Sequence, residues 1–436
     1  MNILLLGSGG REHAMAYKIA QSTRCDHLYI APGNAGTASC GTNVKLDPCN
    51  FAQVGDFVLS HGIQMVVVGP EAPLVEGIVD FFAETPGLAN ITVIGPAKEG
   101  AQLEGSKDFA KDFMTRHKIP TATYRTVTAE TLDDGIAYLR TLEAPYVLKA
   151  DGLAAGKGVL IIDDLAEAER ELREMLVEAK FGKASERVVI EQYLSGVELS
   201  VFVLTDGKHY HILPTAKDYK RIGEGDTGLN TGGMGSISPV HFADKAFMQK
   251  VESRIVIPTI KGLTQDHIPY KGFIFVGLMA VPCKDGFDPY VIEYNVRMGD
   301  PETESVFPRI ESDVVELFEH VWLGDLNRTT LSVSRKAAAC VMMVAQGYPG
   351  SYKKGDVIHG LEVTNTPQES LVFHAGTTLN EKGEVVTNGG RVLCVTTLAE
   401  SMPSALLRTY QNLEQINWTG RTYRRDIGQD LLKMMI

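Results

Sequence analysis

Within the first hundred residues four short apolar runs, at 3–6, 28–30, 65–68 and 92–94, each end in a loop rich in glycine or proline. The loops read Gly7-Ser8-Gly9-Gly10-Arg11, Ala31-Pro32-Gly33-Asn34-Ala35-Gly36, Gly69-Pro70-Glu71-Ala72-Pro73 and Gly95-Pro96. Helical stretches separate the runs. Parallel strands need a crossover, so this alternation predicts a parallel, doubly wound sheet. Ligands of such sheets bind outside the carboxyl ends of the strands, where these loops fall. The first loop fails as a dinucleotide fingerprint, because G-x-G-x-x-G needs glycine at position 12 and the chain has Glu12. Arg11 beside a helix amino end suits a single phosphate, as on a phosphosugar, and a plain tight turn fits the loop equally well.

A second constraint is the stretch 291–304, V-I-E-Y-N-V-R-M-G-D-P-E-T-E. Its alternation predicts a half-buried strand with Ile292, Tyr294 and Val296 on one face and Glu293, Asn295 and Arg297 on the other. A carboxylate and an amide oxygen two residues apart are hard ligands for Mg²⁺ when phosphates fill its remaining positions. Arg297 continues the row with a guanidinium suited to carboxylate or phosphate. Taken alone, an edge strand with a solvated polar face explains the pattern too.

The stretch 147–159 places Lys149 on an apolar strand, then a small-residue loop with Gly152, Gly156, Lys157 and Gly158, then a returning strand at 159–162. It is not a Walker A motif, since no Ser or Thr follows Lys157 and a strand rather than a helix comes next. A flexible hairpin closing over a triphosphate fits, as does a hairpin without ligand. After the strand at 188–194, Gln192, Tyr193 and Leu194 offer backbone groups to a purine and Glu198 a carboxylate to ribose. A core strand followed by a surface glutamate reads the same way. Lys107 and Lys111 lie one turn apart on a helix expected over 101–120. The glycine-rich loop 223–238 either wraps a ligand or links strands. From about residue 331 short strands and a helix at 403–416 predict a small α/β unit.

Bulk properties narrow the function. A length of 436 residues allows about three domains. A net charge of −12 argues against a nucleic-acid surface. The six cysteines form no C-x-x-C pair, which suits reduced thiols in the cytoplasm. The longest apolar run, 337–345, is far short of the ~20 residues needed to cross a bilayer, so no membrane partner is expected.

The ordered set of motifs then resembles a known family. G-S-G-G-R-E-H-A at 7–14, A-P-G-N-A-G-T at 31–37, V-G-P-E-A-P-L at 68–74, E-G-S-K at 104–107, K-A-D-G-L-A-A-G-K-G-V at 149–159, N-T-G-G-M-G at 230–235 and R-M-G-D-P-E at 297–302 are similar to those of the glycinamide ribonucleotide synthetases of the ATP-grasp superfamily. The resemblance spans essentially the whole chain. It implies an α/β protein with a doubly wound phosphosugar domain (1–103), a two-subdomain ATP-grasp core (104–330, with a mobile nucleotide-covering part at about 121–190) and a small α/β domain (331–436). It also implies ligation of glycine to 5-phosphoribosylamine at the expense of ATP through glycyl phosphate, with Mg²⁺ or Mn²⁺. Another carboxylate–amine ligase or a carboxylase component of the same superfamily is the alternative.

By the same resemblance ATP falls to Lys107, Lys149, Gly152, Gly156, Lys157, Gly158, Glu191–Leu194 and Glu198, and the metal to Glu293 and Asn295. Arg297 takes the glycine carboxylate, and Asp218, Asp300 and Glu302 its ammonium. The phosphosugar falls to Gly9, Gly10, Arg11, Asn34, Gly36, Pro70 and Glu71, with Asn230, Gly232 and Gly233. A monomer or small homo-oligomer is expected. The chain departs from the family pattern at Lys217 and Tyr219, where Gln and His are usual, at Leu229 and at Met298.

Overall fold

Residues 1–153, 158–362 and 370–435 are described by the structure, a computed structural model. Gly156 and Lys157 lie outside these residues.

The amino-terminal sheet is parallel, in the order Thr42–Asn43, His27–Pro32, Asn2–Gly7, Ile63–Val68, Thr92–Ile94. Its central strand is apolar at successive positions because both faces are covered. Leu4 and Leu6 enter one core cluster, and Ile3 and Leu5 enter another that includes Phe318 and Val321 of the helix Val314–Leu323.

Two four-stranded antiparallel sheets follow. Tyr124–Val127, Val188–Gln192, Tyr146–Ala150 and Val159–Ile162 form the first, with a core of its own under the helices Leu132–Leu139 and Leu165–Val177. The second runs Tyr210–Ile212, Val197–Thr205, Gly272–Cys283, Gly286–Asn295. Its last strand carries the expected alternation with one interruption. Gly277 pairs with Glu293 while Leu278 pairs with Val291, so Ile292 is an extra residue in a bulge.

The expected helix at 101–120 is two helices, Lys98–Gly105 and Lys107–Arg116. Ser106 breaks it by turning extended and accepting the backbone N–H of Phe109 as an N-cap. Strands from the glycine-rich middle of the chain, Lys217–Asp218 and Gly235–Ser238, do not pair with the second sheet. They extend the carboxyl-terminal sheet, whose order is Lys217–Asp218, Gly235–Ser238, Ala337–Val344, Arg391–Ala399, Ser370–His374. Among the described residues no helix is long and apolar enough to cross a membrane.

Candidate active site

A cavity of about 900 Å³, counting its open mouth, lies between the two antiparallel sheets and is floored by the paired helices. Lys107, Lys149, Glu191, Glu293, Asn295 and Arg297, all expected from sequence, border it. Asp151, which follows the strand carrying Lys149, fixes the helix carrying Lys107. Its carboxylate accepts Ser106 Oγ at 3.0 Å and the Asp108 N–H at 2.8 Å. Lys107 Nζ donates to the Gly152 carbonyl at 3.3 Å, which ties it to the base of the hairpin.

Glu293 stays ionised. Burial opposes its charge, but Lys220, Lys149 and Lys107 together hold its carboxyl below the usual range. Its one hydrogen bond among the described residues is a long 3.5 Å contact from Asn295 Nδ2, which leaves oxygen lone pairs for a cation. Asn295 turns Nδ2 towards Glu293, and its Oδ1 accepts Arg297 Nη2 at 3.0 Å. Among the described residues no cluster of three or more His, Cys, Asp or Glu forms a cage. One carboxylate and one amide fit a metal that shares its coordination with phosphates.

Arg297 is held by Glu104 at 2.7 Å and lies 3.4 Å from Glu71. The Glu71 contact is to Nε, which makes no hydrogen bond among the described residues. Burial raises the Glu104 carboxyl, with Arg297 pulling the other way. Glu198 lies outside the cavity's lining and pairs at 2.8 Å with Lys220, whose side chain keeps nearly half its surface in solvent. Gln192 ends its strand, Tyr193 is exposed, and Leu194 follows in the connection to Val197–Thr205.

A second, acidic cluster lies where the amino-terminal sheet meets the turn after the strand Gly286–Asn295. Burial, then Asp218, pushes the Glu302 carboxyl up to about 8, and burial raises Asp218. Asp300 stays ionised: burial opposes it, but Arg391, 2.9 Å away, and Arg11 outweigh burial. Burial, then Asp300, keeps Glu304 protonated well above the usual range.

Here the expected phosphate seat differs from the structure. Glu12 fills it. Its carboxylate accepts the Gly9 N–H at 2.7 Å and Arg11 Nε at 2.7 Å. A Cβ at Gly7 or Gly69 would collide with the Glu12 side chain, so both glycines make room for it. Arg11 turns inward, buried, with Nη1 on the Met298 carbonyl at 3.2 Å, and its N–H faces Asp300. The helix amino end at Gly10 is thus already surrounded by acids, which compensate its dipole in place of a phosphate. Asn34 is likewise consumed internally. It donates to the Ser8 and His374 carbonyls at 2.8 Å and accepts from Gly36 and Thr37. Pro70 caps the helix that begins at Glu71. Gly232 and Gly233 pack on the carboxyl-terminal unit, where Arg391 donates to the Gly232 carbonyl at 2.8 Å. Asn230 ends the strand Thr227–Asn230.

Sequence reasoning missed Glu104, Glu304, Lys220 and Arg391, and gave Lys111 no role. Only Lys111 and Glu104 left a signal, the first by its four-residue spacing from Lys107 and the second inside E-G-S-K. The departure at Lys217 and Tyr219 has a structural reason. Lys217 Nζ lies 3.9 Å over the Tyr219 ring, and both side chains bind Asp430 near the carboxyl terminus.

Comparison with known proteins agrees along the whole length. Residues 1–104 match the N domain of phosphoribosylglycinamide synthetase, 105–303 its ATP-grasp (A) domain and 338–430 its C domain. The chain belongs to the phosphoribosylglycinamide synthetase family. Within this synthetase family it is 46% identical to the phosphoribosylamine–glycine ligase of Escherichia coli (strain K12) over 430 residues, 98% of each chain. The ligase of Pseudomonas aeruginosa is also 46% identical, over 98% of this chain and 97% of its own. The crystal structure of the ligase from Thermotoga maritima superposes with a TM-score of 0.82 at 35% identity, covering 98% of this chain and all of that one. A biotin carboxylase from Campylobacter jejuni shares the fold at a TM-score of 0.70 and 15% identity.

Proposed function

We propose that this synthetase joins glycine to 5-phosphoribosylamine, giving glycinamide ribonucleotide, ADP and phosphate, a step of purine biosynthesis. The observation that carries the reading is the cavity in which Lys107 and Lys149 face Glu293 and Asn295, within a chain that matches the family in all three domains.

A carboxylate does not acylate an amine, so an oxygen of glycine first attacks the γ-phosphorus of ATP and ADP leaves. Lys107 and Lys149 meet the charge on the transferring group. Glu293 and Asn295 would hold Mg²⁺ or Mn²⁺, which would supply further neutralisation of phosphate charge. Arg297, fixed by Glu104, presents its guanidinium to the glycine carboxylate. Asp218 and Glu302 receive the ammonium, and Asp300 orders the turn through Arg391. The amine of phosphoribosylamine then attacks the acyl carbon of glycyl phosphate. The C–O bond breaks, phosphate leaves, and the amine gives up a proton.

Glycine labelled with ¹⁸O in its carboxylate tests the scheme. One label is expected in the released phosphate, and ADP release is expected to need both glycine and phosphoribosylamine. Label confined to the product amide overturns the acyl phosphate. ADP release driven by bicarbonate without glycine overturns the substrate assignment.

A further inference from the structure

Lys111 sits on the helix Lys107–Arg116, is 2% exposed and has no place in the chemistry described above. Its ammonium lies 3.0 Å from Glu191 Oε2 and donates to Thr121 Oγ1 at 2.7 Å. Thr121 in turn donates to the Val291 carbonyl at 2.7 Å. The other oxygen of Glu191 lies 2.9 Å from Lys149 Nζ, which also reaches the Ile292 carbonyl at 3.4 Å. The contacts close a ring that runs from the bulge in the strand Gly286–Asn295, through Thr121 just before the first antiparallel sheet, and back to the bulge.

The two lysines hold Glu191 differently. Lys111 is anchored on both sides. Lys149 is close to Glu191 Oε1, yet that oxygen lacks a well-directed hydrogen bond. Lys149 is therefore a cation resting on a carboxylate it can leave. If it leaves for a phosphate, Glu191, 4% exposed, needs another cation, because an unpaired buried carboxylate is costly.

We propose that Lys111 is a positioning residue. It remains as the counter-ion of Glu191 and so frees Lys149 to move from Glu191 to the β- and γ-phosphates of the nucleotide. This rests on the reading of Lys149 as a phosphate ligand. No bond is made or broken, and one positive charge exchanges one anionic partner for another.

Equilibrium binding of Mg·ADP and of AMP to the full-length protein tests the proposal. In Lys111→Met, Glu191 has only Lys149, so ADP affinity is expected to fall about tenfold or more while AMP affinity stays within about threefold. In Lys111→Arg a cation remains beside Glu191, and ADP affinity is expected to stay within about threefold of wild type. Equal loss of AMP and ADP affinity, unchanged ADP affinity in Lys111→Met, or a loss in Lys111→Arg as large as in Lys111→Met overturns the proposal. If Lys111→Met does not fold, Lys111→Gln takes its place, and ADP affinity unchanged there overturns it. Lys149→Met separates the underlying reading: ADP affinity unchanged in that variant refutes the phosphate contact itself.

Discussion

At the scale of single residues, Glu12 explains more than any motif around it. The glycine fingerprint fails at position 12, and the carboxylate placed there occupies the space between the loops at 7–10 and 69–71. Arg11 is its counter-ion, with a side chain as buried as a core residue. Arg11→Ala leaves Glu12 buried without a cation, a loss of about 3–5 kcal/mol. A thermal melt without substrate is expected to shift down, and kcat/KM for all three substrates to fall together. A normal melt with a selective loss for phosphoribosylamine restores the phosphate role. Glu293→Gln and Asn295→Leu are expected to behave oppositely. Each lowers kcat by about 100-fold or more, with a melt close to wild type, because the side chains serve a cation and not the core. Near-normal turnover at low Mg²⁺ in either variant refutes the ligand pair.

At the scale of elements, the junction between the helix Gly10–Ile19 and the strand Ser370–His374 is sensitive to acid. His13 Nδ1 accepts the His374 N–H at 2.8 Å, so the ring must stay unprotonated there. Burial lowers His13 to about 3, with His374 adding to the shift, and burial lowers His374 to about 4. Both folded values lie below the ordinary 6.5. Their contribution is therefore complete above pH 6.5 and is lost as pH falls towards 3. Each group removes about 1.4 kcal/mol per pH unit over that window. Chemical denaturation from pH 7 to 4.5 is expected to show this slope, and His13→Asn a shallower one. Parallel slopes refute the assignment.

Elements of this kind divide by how far they are visible in sequence. The strand at 159–162, the Gly/Pro loops and the row Glu293–Asn295–Arg297 are local patterns of period or spacing, and the structure carries them. The bulge at Ile292 and the ion pairs of Arg297 with Glu104 and Arg391 with Asp300 depend on partners far along the chain. No local pattern announces them.

At the scale of the molecule, the middle and the end of the chain share one sheet. Gly235–Ser238 pairs along its length with Ala337–Val344, and Lys217 and Tyr219 bind Asp430. A fragment ending at residue 330 is expected to lose cooperative melting, although it retains all of the cavity's side chains. A sharp melt near the wild-type midpoint refutes this dependence.

The same pairing orders events on the ribosome. Asp218 leaves the exit tunnel long before the strands that flank its own sheet have been translated. The nascent protein thus carries all of the cavity's lining side chains while the sheet that holds Asp218 waits for the last hundred residues. A truncated product from a stalled message is thereby left with an open sheet edge at Gly235–Ser238, where Ala337–Val344 belongs.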